Sequence, residues 1–191
     1  MSRVQDFGPA PLDEPDAYPG TWPTGPVIID GDRVLPLAED ADPAAGDRTP
    51  IVAYGSNACP AQIARKALPG PVLLTPAILR NHIVVYAGHV TLYGAVPATV
   101  ARWPGASTEV FLAWLTPQQH LVIDGSEGGN YDRVLLPTAD GLVVGYRGRT
   151  GFTMAGRRLP VRVAGVHSEG RSLPAEMTQV QVRLHRRAMA G

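Results

Sequence analysis

One cysteine, Cys59, stands in a chain of 191 residues. A lone thiol excludes an internal disulfide and any metal site built from several cysteines. Charged residues are sparse at 18% and aromatic residues sparser at 6%. No apolar run approaches the ~20 residues of a membrane-spanning helix. Met1 to Asp6 leads into polar, proline-rich sequence rather than the apolar core of about 7–15 residues that marks a signal peptide. The expectation is a soluble, cytoplasmic protein that does not engage a membrane. What is present is a globular composition: 45% hydrophobic residues, with a mean hydropathy of −0.02, in a length that can bury a sizeable core.

The formal net charge is zero, but it is unevenly laid out. Residues 1–48 hold ten acidic and three basic side chains, and residues 49–191 hold seven and fourteen. A basic domain raises the question of nucleic acid. The arginines are scattered, however, and the acidic segment can neutralise them within the molecule, so no nucleic-acid partner is expected. Arg157-Arg158 and His185-Arg186-Arg187 read as solvated strand ends. The division at residue 48 also separates two compositions. Residues 1–48 form a proline-rich acidic segment, extended and partly disordered up to about Asp16, because proline lacks a donor and turns its predecessor away from helix. Tyr18 and Trp22 suggest that its later part lies against the domain, and Asp30-Gly31 predicts a small hairpin over 27–37. Residues 49–191 form the main domain.

Within that domain, short apolar runs separated by glycine-rich turns predominate, and there is no internal repeat. Strands are expected at Ile51–Tyr54, His82–Tyr86, Val110–Leu115, Tyr131–Leu136, Leu142–Tyr146, Arg158–Val166 and Met177–Leu184. The last alternates at Val180, Val182 and Leu184. Val90, Leu92 and Tyr93 are further strand positions, whereas Val72–Leu79, interrupted by Pro76, reads as a connector. Thr116-Pro117-Gln118-Gln119 is the clearest local signal, an N-cap, a proline at the first helical position and a glutamine that completes a capping box. It predicts a helix to about Ile123, stopped by Gly125. The fold class is α+β, a mostly antiparallel sheet curled into a partial barrel with a few short helices.

Two stretches carry the chemistry. In Ile51 to Lys66 a strand breaks at Gly55-Ser56-Asn57 and a helix opens at Pro60. Such a junction directs unpaired amides at one point and favours an anion there. The second is Gly125 to Asn130, where Glu127 sits among glycines that let the backbone approach a ligand closely. Alone, each has an ordinary reading, a plain strand–turn–helix junction and a solvated loop carboxylate. Asp132 and Arg133 read as a surface pair.

Taken together, Tyr54-Gly55-Ser56-Asn57, then Ile123-Asp124-Gly125-Ser126-Glu127-Gly128, then Tyr131-Asp132-Arg133 resemble the gamma-glutamylcyclotransferase-like family. Gly94 to Val100 is similar to that family's strand ahead of the buried run, and the resemblance covers about Thr49 to Val166. It implies that the turn Tyr54–Asn57 cradles the alpha-carboxylate of a small gamma-glutamyl substrate, with Tyr131 also in the binding site. It implies Glu127 as general acid/base in closing 5-oxoproline and releasing an amine, a type of catalysis worth ~10²–10⁴-fold, with no cofactor or metal. The sequence departs from the pattern at Ala58, where leucine or methionine is usual, and at Cys59-Pro60. Two other readings stand beside this one. The first is a non-catalytic small-molecule-binding module of the same fold. The second is a thiol enzyme in which Cys59, at a helix start, pairs with His82, His89 or His120. Neither the leaving amine nor the oligomeric state is marked by any motif.

Overall fold

The computed structural model describes residues 2–155 and 159–190. Its elements in chain order are β1 (Ser2–Arg3), β2 (Val27–Asp30), β3 (Arg33–Pro36), β4 (Thr49–Ala53), α1 (Pro60–Arg65), β5 (Val72–Tyr86) and β6 (Ala98–Leu115). Then follow α2 (Pro117–Glu127), β7 (Tyr131–Thr138), β8 (Gly141–Gly148), a series of two-residue strands between Met154 and Met177, and α3 (Gln179–Ala190). Five strands run in the order β5-β7-β8-β4-β6, and β6 pairs back onto β5. The expected partial barrel is thereby closed. All its pairings are antiparallel except β4 with β8. The class is α+β.

The apolar runs are continuous because their strands are covered on both faces. In β4, Ile51 and Ala53 belong to one buried cluster, while Val52 and the following Tyr54 belong to the other. β6 divides in the same way, Val110 and Leu112 against Phe111, Ala113 and Leu115. Each fully buried aliphatic side chain of this kind contributes about 1.5–3 kcal/mol.

Several elements differ from their sequence expectation, each for a local reason. Val72–Leu79 is no connector but the first half of β5, which continues through an irregularity at Asn81 into His82–Tyr86. Pro76 is tolerated because it falls between the β2 pairing, which ends at Leu74, and the β7 pairing at Leu79. That edge has no ladder for a proline to interrupt. The end of the Gly94–Val100 stretch and Val110–Leu115 are likewise parts of one strand, β6, which begins at Ala98. Both long strands are irregular at one level: Asn81 and Gly105 take positive φ, and Asn81 Oδ1 accepts from the Gly105 N–H at 2.9 Å. Val90, Leu92 and Tyr93, expected in a strand, lie in the loop before β6, where Leu92 is fully exposed.

Met177–Leu184 is not a strand beyond its first residue. Thr178 and Gln181 form a second reciprocal cap, at 2.8 and 3.3 Å, and α3 begins there. Of the alternating residues only Val182 is buried, while Val180 and Leu184 are exposed. His185, Arg186 and Arg187 therefore lie on a helix. The stretch from Arg158 to Val166 contains two short strands, Leu159–Pro160 and Arg162–Val163. Arg157 and Arg158 lie outside the described residues. Arg133 pairs with Asp124 at 3.0 Å, and Asp132 instead with Arg149 at 2.6 Å. No helix among the described residues is long and apolar enough to cross a membrane.

Residues 27–36 form the expected hairpin, turning at Gly31 with φ +60°. Ahead of it, the proline-rich stretch expected as extended and partly disordered makes specific contacts. Ala10 and Tyr18 are buried. The Ala98 N–H donates to the Tyr18 hydroxyl at 2.6 Å. Asp13 pairs with Arg65, and Asp16 pairs with Arg183 of α3. Gly55 is shaped by this arrangement. A Cβ there would stand 2.5 Å from the Tyr18 hydroxyl oxygen and 3.3 Å from Ala98 Cβ.

α2 starts at the expected cap. Gln119, fully buried, accepts from the Thr116 N–H and donates to the carbonyls of Pro69, Gly70 and Pro71 at 2.9, 3.2 and 3.1 Å. One amide thus caps the helix and holds the bend that leads into β5. Replacing it with leucine removes these part-buried hydrogen bonds, at about 0.5–1.5 kcal/mol each. Gln119→Leu is expected to lose about 2 kcal/mol or more in urea unfolding, with an unchanged m-value. Gly55→Ala is expected to destabilise the protein and Tyr18→Phe to cost about 1 kcal/mol. The double variant should cost less than the sum, because removing the hydroxyl makes room for the new methyl. Strict additivity in the same unfolding assay would contradict that packing.

Candidate functional site

β4 and β6 are antiparallel neighbours, with Thr49 opposite Leu115 and Ala53 opposite Phe111. The chain therefore leaves β6 at the end of β4 that is remote from Tyr54. α2 brings it back. Its eleven residues rise about 16 Å at ~1.5 Å each, close to the roughly 14 Å that four strand steps cover between Thr49 and Ala53. The helix start is level with Thr49, whose hydroxyl lies 2.8 Å from His120 Nε2. Its last residue is Glu127.

The expected stop at Gly125 is therefore displaced. Gly125 is accommodated within the helix, Ser126 donates to the Ile123 carbonyl at 2.8 Å, and termination falls to Gly128. Gly128 has φ +52° and donates its N–H to Asp124 O. A positive φ there favours glycine. Glu127 is consequently carried on the final turn of a helix rather than on a free loop.

At that position Glu127 meets the turn after β4. Asn57 Nδ2 donates to Glu127 Oε1 at 2.9 Å. Lys66, directly after α1, places Nζ 4.0 Å from the same oxygen and donates to Ser126 Oγ at 2.6 Å. Oε1 is thus fixed by Asn57 and faces the Lys66 ammonium, while Oε2 accepts no hydrogen bond among the described residues. The turn itself is one 3-10 segment, Ser56–Ala58. Its Ala58 and Cys59 amides bond back to Gly55 and Ser56. The amides of Gly55, Ser56 and Asn57 have no partner among the described residues, the condition under which a turn accepts an anion.

All six residues expected at the site, Tyr54, Gly55, Ser56, Asn57, Glu127 and Tyr131, line one cavity of ≈ 300 Å³. Tyr131 donates its hydroxyl to the Ala98 carbonyl at 2.8 Å, so it presents its ring more than a free polar group. Tyr54 Oη and Asn57 Oδ1 are buried with no hydrogen-bond partner among the described residues.

The cavity also contains residues that sequence reasoning did not place there. No motif ties Lys66, the last residue of the first stretch, to the cavity. Tyr18 was expected only to lie against the domain, and no spacing ties it to residue 55. His89 and Tyr93 come from the loop before β6, and His89 packs edge-on against Tyr131 with ring centroids 5.7 Å apart.

The electrostatics of the wall are simple. Burial, and secondarily the charge of Glu127 and the neighbouring phenols, raises Tyr18, Tyr54, Tyr93 and Tyr131, so all four remain neutral hydroxyls. Burial also lowers His89, with the positive charge of Arg186 adding to it. Lys66 is lowered by burial, with Glu127 opposing. The side chains of Lys66 and Glu127 are only 14% and 16% exposed. Two unit charges 4 Å apart attract by about 4 kcal/mol at an effective dielectric of ~20, before the cost of desolvating them.

Cys59 lies elsewhere. It occupies the N-cap position of α1 without a side-chain capping bond. It is fully buried with Ala10, Ala61 and Trp22, and burial raises its thiol. A Cβ at Gly20 would come within 2.5 Å of its sulfur. His82, His89 and His120 are engaged with Arg80, Thr150 and Thr49. The conditions for an activated thiolate, exposure and a nearby cation, are not those of Cys59.

No family model matches the chain, and no curated protein sequence matches it. Among solved structures it is similar to one titled gamma-glutamyl cyclotransferase, with 19% sequence identity and a TM-score of 0.46, over 55% of this chain and 68% of that one.

Proposed function

We propose that the protein is a cytoplasmic cyclotransferase that converts a small gamma-glutamyl compound into 5-oxoproline and a free amine. The observation that carries the reading is the Asn57–Glu127 hydrogen bond, 2.9 Å between residues seventy positions apart. It joins the two stretches singled out in the sequence within one cavity.

In this reading the unpaired amides of Gly55, Ser56 and Asn57 hold the substrate's alpha-carboxylate. Glu127 Oε2, which the protein leaves unengaged, takes a proton from the substrate's alpha-ammonium. The freed nitrogen attacks the gamma-carbonyl carbon and closes a five-membered ring. As the tetrahedral centre collapses, the bond from that carbon to the leaving nitrogen breaks. The same carboxyl passes its proton to the departing amine, then takes the second proton from the ring nitrogen, leaving the neutral lactam. It releases that proton to the amine, which departs as an ammonium, so that the residue returns to its starting state. Asn57 fixes Oε1 and so aims Oε2, which serves the geometric demand on a general base. The ring of Tyr131 and the phenols around it supply a wall that limits water, under which a carboxylate and an ammonium interact more strongly than in bulk solvent.

The test is 5-oxoproline release from a panel of gamma-glutamyl amines, amino acids and short peptides. Glu127→Gln keeps the shape and the Asn57 contact but not the base, and is expected to lose about 10²–10⁴-fold in kcat. Cys59→Ala is expected to retain activity. Equal release by wild type and Glu127→Gln would overturn the mechanism. Binding of gamma-glutamyl ligands without turnover by the wild type would instead assign the cavity to a binding module.

A further inference from the structure

Lys66 is the single lysine of a chain with sixteen arginines. Everywhere else the chain's cationic side chain is a guanidinium. Here it is a compact ammonium, at the wall of the cavity and largely removed from water. Its hydrogen bonding is incomplete. Of three N–H donors, one goes to Ser126 Oγ at 2.6 Å, and the nearest carboxylate oxygen, Glu127 Oε1, is at 4.0 Å, beyond hydrogen-bond distance. Ser126 spends its own proton on the Ile123 carbonyl and so receives from Lys66 as an acceptor. Glu127 Oε1 is already satisfied by Asn57. An ammonium so placed has two donors uncommitted among the described residues, in a cavity whose other ionisable side chains are one carboxylate, neutral phenols and a histidine whose protonation burial and Arg186 disfavour.

We propose that Lys66 is an anion-binding residue of this cavity and pairs directly with a carboxylate of the bound ligand. The inference rests on the proposed function for the identity of that ligand. When Glu127 takes a proton it no longer balances the ammonium, and a buried cation without a partner is strongly unfavourable. A ligand carboxylate restores the balance at that moment. Two sources fit the chemistry, the alpha-carboxylate of the gamma-glutamyl group and a carboxylate on the leaving amino acid.

A charge-assisted hydrogen bond of this kind corresponds to about 10–100-fold in affinity. Lys66→Met is expected to raise KM by that factor with a smaller effect on kcat, and Lys66→Arg to recover part of it. A loss shared by gamma-glutamyl amines and gamma-glutamyl amino acids assigns Lys66 to the alpha-carboxylate. A loss confined to the amino acids assigns it to the leaving group. A merely structural role would lower kcat without separating KM, and the inference would fall.

A second measurement is independent of turnover. Selective ¹⁵N-lysine labelling marks one side-chain amine in this chain and leaves its donors intact, since only Lys66 provides one. Titration with glutarate or 5-oxoproline is expected to move that resonance in the wild type, and calorimetry to give a 10-fold or greater loss of glutarate affinity in Lys66→Met. An unmoved resonance with unchanged affinity overturns the role of Lys66, whether or not any gamma-glutamyl compound is turned over. Ligand binding through Lys66 with no release of 5-oxoproline would overturn only the proposed reaction.

Discussion

The ladder between β5 and β6 is the constraint on which the remainder depends. It runs from Leu73 opposite Trp114 to Tyr86 opposite Ala98, interrupted only near Asn81. It does two things at once. It closes the barrel by returning the last strand to the first, which removes free edges from the five-stranded core. It also leaves the other edge of β6 to pair with β4, so that the end of β6 and the start of β4 lie side by side. Everything placed in the cavity, from the turn after β4 to the helix after β6, takes its position from that pairing.

The site was more legible in the sequence than the barrel. The small-residue turn at Tyr54–Asn57 and the capped helix from Thr116 are local patterns, set by backbone freedom and by a reciprocal hydrogen bond. Such patterns survive in a linear reading. Strand continuity does not, because it depends on partners far away. Pro76 ends a strand by local rules and is permitted here only because its edge lies between two other pairings. The opposite failure occurs at Thr178 to Leu184, where alternation suggested a strand. A cap identical in kind to that of α2 prevailed, with Gln181 serving Thr178 as Gln119 serves Thr116. The capping signal was present and was outweighed by periodicity.

What the linear reading missed at the site has a common cause. Tyr18 and Lys66 enter the cavity through tertiary packing and not through any spacing with Glu127. Tyr18 reaches it from the proline-rich segment, more than thirty residues ahead of the turn it touches. Compositional division of the chain at residue 48 therefore describes its charge and its proline content. It does not describe how the cavity wall is assembled, since Tyr18, Gly55 and Ala98 meet at a single point.

The match between α2 and β4 constrains this region in a way that side-chain identity alone does not. Because the helix spans the height of the strand beside it, the carboxylate is positioned by residue count. One inserted or deleted residue between His120 and Ile123 would turn Glu127 by about 100° around the axis and shift it by ~1.5 Å, with every side chain of the cavity unaltered. Descendants of this sequence can exchange exposed residues such as Leu121 freely, yet the helix must keep its length. Natural variation from the end of β6, which only Thr116 separates from α2, to Glu127 should then consist of substitutions, with gaps falling elsewhere.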